Sequence, residues 1–365
     1  MNDTGMNNTD VKNTVMSNED DLIISQDGAI GRFHLNRPAA LNALTAPMAY
    51  KMKDQLYAWA VDDSIKAILV DAEGDRAFCA GGDIRDLYEN GKKDPQPGRD
   101  FWREEYKLNA LIHNFPKPYI AFMNGIVMGG GVGISSHGSH RIVTENTMLA
   151  MPETGIGFLP DVGGTYILSR SPGLSGLYLG MTGARMNAAD AIFAGFADHF
   201  IPSDNLPLLT EKLIDGANLD AAIAEFATNA PDGVLIGLQA DISEAFSGET
   251  ALECTQKTTV MAEDGNEWAA KTLKLLRRHS PIAISAAFTA ISQARSFDTI
   301  EQCLNVEYRF AHRALLGTEF YEGVKAIIID KNHTPQWQPP TLEDVTADHL
   351  DALFAPLGTE EWLSS

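Results

Sequence analysis

The stretch "MPETGIGFLPDVGG", Met151 to Gly164, carries two carboxylates, Glu153 and Asp161, with no other charge between them. Each has a local reading. Glu153, after Pro152, suits the first turn of a helix, and Asp161 suits a cap for a helix beginning near Val162. Two Gly-rich loops upstream give the pair a second reading. "FCAGGD", Phe78 to Asp83, and "MGGGVG", Met128 to Gly133, each lie at the end of a strand pattern and lead into a helical one. Alone, either loop reads as a tight turn where a helix packs on a strand. Glycine also lets backbone approach a ligand closely, and helix N-termini leave N–H donors unpaired. Two such donors aimed at one point form an oxyanion hole, which stabilises a carbonyl oxygen gaining negative charge. Neither loop has the G-x-G-x-x-G register of a dinucleotide site, and a P-loop is missing.

Outward from these loops the elements recur. "LIIS", a "QDG" turn and "AIGRFHLNRP" predict a hairpin. A helix is expected from Thr45 as N-cap, with Met48, Met52, Leu56 and Trp59 on one face. "IKAILVDAE" reads as a strand running into the loop "RAFCAGGD", followed by a helical "IRDLYENG". "KKDPQPGRD" reads as a loop and "FWREEYKLNALIHNF" as an amphipathic helix. "KPYIAFMNG" is a strand, "GGGVGISSHG" a turn and helix, and "HRIVTENTMLAMPE" two short strands around Glu145-Asn146. Strand, strand, helix thus repeats before residue 200. From about residue 204 the pattern is nearly all helical, so residues 21–203 are expected as an α/β core and 204–365 as a helical C-terminal region.

Composition limits the partners. The 365 residues hold 28 basic and 49 acidic side chains, a formal net charge of −21, which disfavours nucleic acid. Cys79, Cys254 and Cys303 are widely spaced, without zinc or disulfide spacing, and fit a reducing compartment, taken as the cytoplasm. Residues 1–20 are polar and acidic, unlike a secretory signal or a mitochondrial presequence, and are expected as a disordered leader. The uncharged run between Lys117 and Arg141 contains Asn124, serines, histidines and many glycines, so it reads as buried core and not as a membrane span.

"AFCAGGDI", "NGIVMGGGVG" and "MPETGIGFLPDVGG", in this order and at these separations, resemble the crotonase (enoyl-CoA hydratase/isomerase) superfamily. "FWREEYKLN", "PDVGG" and the late "EGVKAIIIDKNHTPQW" are most similar to its 3-hydroxyisobutyryl-CoA hydrolase branch. The resemblance spans roughly Leu22 to Val345. It implies a spiral of repeated ββα units, an acyl-CoA thioester substrate and oxyanion-hole N–H groups at Gly82 and Gly130. It also implies Glu153 and Asp161 as catalytic acids. Hydratases of the superfamily carry a further glutamate three residues beyond the second oxyanion glycine. Gly133 stands there in this chain, which disfavours hydration and matches the hydrolase branch.

The match to that branch points to Glu105 as a substrate contact, although helical periodicity does not choose between Glu104 and Glu105. Arg37, in "NRPAALNAL", and Asp83 are assigned to substrate binding, Arg37 toward CoA phosphates. His137 and His140 lack partners for a ligand set and are read as structural, and the thioester hydrolysis that the resemblance implies needs no metal or cofactor, CoA arriving with the substrate. Glu153 can act as general base for water or attack directly to give a mixed anhydride. The expected reaction is hydrolysis of 3-hydroxyisobutyryl-CoA, in valine breakdown, or of 3-hydroxypropionyl-CoA. A hydratase or isomerase and a non-catalytic acyl-CoA-binding protein are the alternatives. The superfamily implies homo-trimers or hexamers.

Overall fold

The Asp27-Gly28 turn closes the expected hairpin, with Gly28 at φ 62° between β1 (Leu22–Asp27) and β2 (Ile30–Leu35). The computed structural model describes residues 21–362, and the leader expected over residues 1–20 lies outside them. Thr45 caps α1 (Ala46–Val61), accepting from the Met48 N–H, and Met48, Met52, Leu56 and Trp59 are buried along one face. The chain then alternates between two sheets. β3 (Ala67–Ala72), β5 (Tyr119–Met123), β7 (His140–Val143) and β9 (His199–Phe200) extend β1 and β2 into six strands, all parallel except the β1–β2 hairpin. β4 (Ala77–Cys79), β6 (Ile126–Met128) and β8 (Met148–Ala150) form a second, parallel, three-stranded sheet.

Each turn of this spiral gives one strand to each sheet and then a helix. α2 (Ile84–Gly91) and α3 (Gln96–His113) follow β4, α4 (Gly130–Gly133) follows β6, and α5 (Gly164–Arg170) follows β8. α6 (Ser175–Thr182) and α7 (Ala188–Phe193) complete the last turn before β9. Two readings are corrected here. "RAFCAGGD" is not all loop, since Ala77–Cys79 pairs as β4, and Ile126–Met128 adds the unexpected β6. Three residues are too few to show a period of two, and only long-range pairing defines them. α3 also begins before Phe101, because Pro97 falls in its first turn, where the missing N–H costs nothing.

Alternation along the strands buries both faces of the larger sheet. Ile68, Val70, Ala121 and Met123 point into the main core, whereas Leu69, Ile120 and Phe122 point to the opposite side. That second face is covered by α8 (Leu206–Ile214) and α9 (Leu219–Phe226) through Leu209, Leu213 and Ile223. This is why "AILV" reads as one continuous apolar run. Beyond them come α10 (Gln239–Ala245), α11 (Ala251–Glu263), α12 (Glu267–Arg278), α13 (Pro281–Ala294) and α14 (Ile300–Ala314). The last helices are α15 (Glu319–Val324) and α16 (Ala347–Phe354). α13 packs on α5 and α6, and α14 packs on α3 and α5. The helical region therefore bears directly on the elements that carry the Glu153–Asp161 segment.

Candidate active site

A cavity of ≈ 710 Å³ opens where the two Gly loops meet α3 and the Glu153–Asp161 segment. Gly82 and Gly130 both line it. The parallel bridge between Leu44 and Gly82 uses the Gly81 carbonyl and the Asp83 N–H. The intervening Gly82 N–H therefore points away from Leu44. Gly130 is the first residue of α4, so its N–H has no intrahelical acceptor. A Cβ built on Gly130 would lie only 3.2 Å from the Gly82 nitrogen, which makes the two donors neighbours. α4 can come this close because Gly131 has no side chain: a Cβ there would meet the Cys79 carbonyl at 2.3 Å.

Three carboxyls surround this pair of donors. Glu153 opens a 3₁₀ turn (Glu153–Ile156), and its Oε1 lies 3.1 Å from where a Gly129 Cβ would stand. Its Oε2 is buried without a partner. Glu105 projects from α3 to 2.7 Å from the position of a Gly130 Cβ, and its Oε1 is also unpartnered. Glu104 turns away to pair with Lys53 and Lys107, so the geometry chooses Glu105. Asp161 is buried and accepts a hydrogen bond from the Tyr106 hydroxyl at 2.7 Å. It does not cap α5, whose N-cap is Gly163.

Burial sets the electrostatics. It pushes the Glu105 and Glu153 carboxyls well above the usual carboxylate range, and the nearby Asp161 charge adds to both. Burial raises Asp161 to about 7, opposed by the Tyr106 hydroxyl, which favours the ionised form. Two carboxyls that resist ionising together can divide acid and base roles.

No acid stands at Gly133, and there is no room for one. A Cβ there would lie 2.6 Å from Asn109 Nδ2 and 2.8 Å from Val162 Cβ. Arg37 and Asp83 are not brought to the cavity. Their side chains pair with each other at 3.2 Å, and Arg37 also binds Asp21 at 3.1 Å and the Ala43 carbonyl at 2.6 Å. His137 Nε2 bonds the Val162 carbonyl at 2.8 Å, and burial pushes the imidazole down to about 3. His140 pairs with Asp220. Among the described residues no three His, Cys, Asp or Glu side chains are grouped to hold a metal ion.

Several cavity residues escaped the sequence reading. Exposed Arg185 and Arg278 line the cavity and make no ion pair among the described residues. Trp102, Phe158 and Phe320 form an aromatic wall, with Trp102 stacked on Phe158 at 5.1 Å. Nothing in the local sequence separates these arginines from ordinary surface cations. Trp102 could have been found by its place one turn before Glu105.

Paired backbone donors facing buried carboxyls, on a two-sheet ββα spiral, are an arrangement that can stabilise an oxyanion. The chain belongs to the enoyl-CoA hydratase/isomerase family, whose model matches residues 30–354. It is 38% identical over 351 residues to a protein of Xenopus tropicalis named 3-hydroxyisobutyryl-CoA hydrolase, mitochondrial, covering 93% of this chain and 90% of the relative. A solved carnitinyl-CoA dehydratase from Mycobacterium thermoresistibile superposes with TM-score 0.90 at 40% identity, covering 95% of this chain and 99% of that one. An enoyl-CoA hydratase from Rhodobacter sphaeroides 2.4.1 gives TM-score 0.89 at 43% identity, with 94% and 100% covered. Among the described residues no helix is long and apolar enough to cross a membrane.

Proposed function

We propose that the chain hydrolyses a short 3-hydroxyacyl-CoA thioester, foremost 3-hydroxyisobutyryl-CoA, to the free hydroxy acid and CoA, a step of valine breakdown. The observation that carries this reading is the packed site at Gly133 combined with Glu153 and Asp161 in one cavity. Hydration by two carboxylates needs an acid where Asn109 and Val162 leave no space. Hydrolysis needs a base or nucleophile, an oxyanion hole and a proton for the leaving thiolate.

In this reading the thioester oxygen sits between the Gly82 and Gly130 N–H groups. Ionised Glu153 takes the proton of an attacking water, or itself attacks the carbonyl to give a mixed anhydride that water then opens. Either route ends with the water proton on the thiolate sulfur. A carboxyl raised toward neutrality is the stronger base once ionised, which suits Glu153 to this task. Glu105 receives the substrate hydroxyl, Asp161 orients that hydroxyl or serves as the second acid/base, and the aromatic wall limits the acyl chain. Arg185 and Arg278 hold the CoA phosphates at the rim, while the Arg37–Asp83 pair shapes the "AGGD" loop. The scheme draws on no cofactor.

Three buried free thiols suit a reducing compartment, for which we retain the cytoplasm, and we retain assembly into trimers or hexamers. The dehydratase and hydratase names of the two similar structures make hydration the second reading. The test is kcat/KM for thiol release across 3-hydroxyisobutyryl-CoA, 3-hydroxypropionyl-CoA and acetyl-CoA, with crotonyl-CoA hydration followed alongside. A preference for the hydroxyacyl thioesters supports the proposal. Equal or better use of acetyl-CoA removes its substrate assignment.

A further inference from the structure

Asp161 is followed by a strained turn. Val162 has φ 53° and Gly163 φ 77°. A β-branched residue in the left-handed region costs roughly 1–3 kcal/mol and persists only where its surroundings hold it. One hold is His137: the Val162 carbonyl can only accept, so Nε2 carries the proton and donates. The other comes from α14, in the helical region. Glu307 is fully buried, and its Oε2 accepts from the Gly163 N–H at 2.8 Å. Its Oε1 accepts from the Thr165 N–H at 3.1 Å and from the Thr165 hydroxyl. α5 has no side-chain cap of its own, so a carboxylate more than 140 residues away in sequence supplies it.

We infer that Glu307 is a positioning residue, clamping the Val162–Thr165 turn with both carboxylate oxygens so that Asp161 faces the thioester. The inference rests on the proposed role of Asp161 in hydrolysis. Glu307 lies in the electrostatic reach of the same carboxyls. Burial raises it to about 8, and the Asp161 charge adds to this. When Glu307 is ionised, its charge in turn raises Glu153 and the Tyr106 hydroxyl. Cys303, one turn earlier on α14, is raised to about 12 by burial and stays a thiol. The clamp thus fixes the geometry of the turn that carries Asp161.

Glu307→Gln tests this. The amide keeps the shape but presents N–H donors to one of the two backbone N–H groups, so one arm of the clamp is lost. The expected result is a fall in kcat for thiol release of ~10²-fold, the cost of roughly 1 Å of misplacement, with KM held. Thr165→Val strips one donor but keeps the carboxyl group, so it should reduce kcat about fivefold, from ~1 kcal/mol for one hydrogen bond, again with KM held. Asp161→Asn is measured beside them. Asp161→Asn inactive with Glu307→Gln folded and fully active would overturn the positioning role alone. Full activity in both would overturn the hydrolase reading as well. Should Glu307→Gln fail to fold, Thr165→Val decides: lower kcat at constant KM supports the clamp, and unchanged kcat overturns it.

Discussion

Asp161→Asn separates catalysis from stability. In the folded chain Asp161 is raised from 3.8 to about 7, chiefly by burial. A group raised on folding contributes stability that is fully present below its unfolded value and is lost as pH climbs through the folded one. At ~1.4 kcal/mol per pH unit, the loss is roughly 2 kcal/mol at about pH 5 and ~4 kcal/mol at about pH 8. Asparagine never ionises, and its carbonyl still accepts from the Tyr106 hydroxyl. The variant should therefore gain over the wild type by ~2–3 kcal/mol more at about pH 8 than at about pH 5. For a chain of this size that is about 3–4 °C in Tm. Thermal unfolding at the two pH values, paired with thiol release, reads both effects. Higher Tm at alkaline pH together with lost turnover is the expected result. A Tm difference that does not change with pH would refute the claim that Asp161 ionises in a buried site.

Three other perturbations address neighbouring parts of the account. Tyr106→Phe removes the donor that favours ionised Asp161, so Asp161 should titrate above about 7, and kcat near neutrality should fall about tenfold, from ~1.5 kcal/mol for one bond to a charged group. A pH–rate profile checks both. Gly133→Glu forces a side chain against Asn109 and Val162 and should cost ~1–3 kcal/mol of stability, seen in urea unfolding, without gaining crotonyl-CoA hydration. Arg278→Ala should raise KM for the CoA thioester about fivefold, from ~1 kcal/mol for an exposed ion pair, and leave kcat unchanged. The corresponding pantetheine thioester, which lacks the distal phosphates, should be used equally well by variant and wild type.

The parts of the site legible in sequence are those made by short-range patterns. The two Gly loops and the Glu153–Asp161 spacing lie within contiguous segments, and the Thr45 cap and the Asp27-Gly28 turn are local chemistry as well. What escaped depends on residues distant in the chain. Glu105 and Glu104 share the edge of one helical face, and Lys53 of α1, drawing Glu104 away, is what separates them. Tyr106 reaches Asp161 across 55 positions, and Glu307 reaches Gly163 across 144. β4 and β6 are strands only because they pair with each other and, for β6, with β8. Arg37 is spent on Asp21 and Asp83, a commitment that no local pattern announces.

The most direct test of the central claim is release of free thiol from 3-hydroxyisobutyryl-CoA by the wild type and by Glu153→Gln, with crotonyl-CoA hydration measured on the same preparations. The account predicts rapid thiol release by the wild type, its loss in the variant and little hydration by either. Hydration of crotonyl-CoA without thiol release would contradict it.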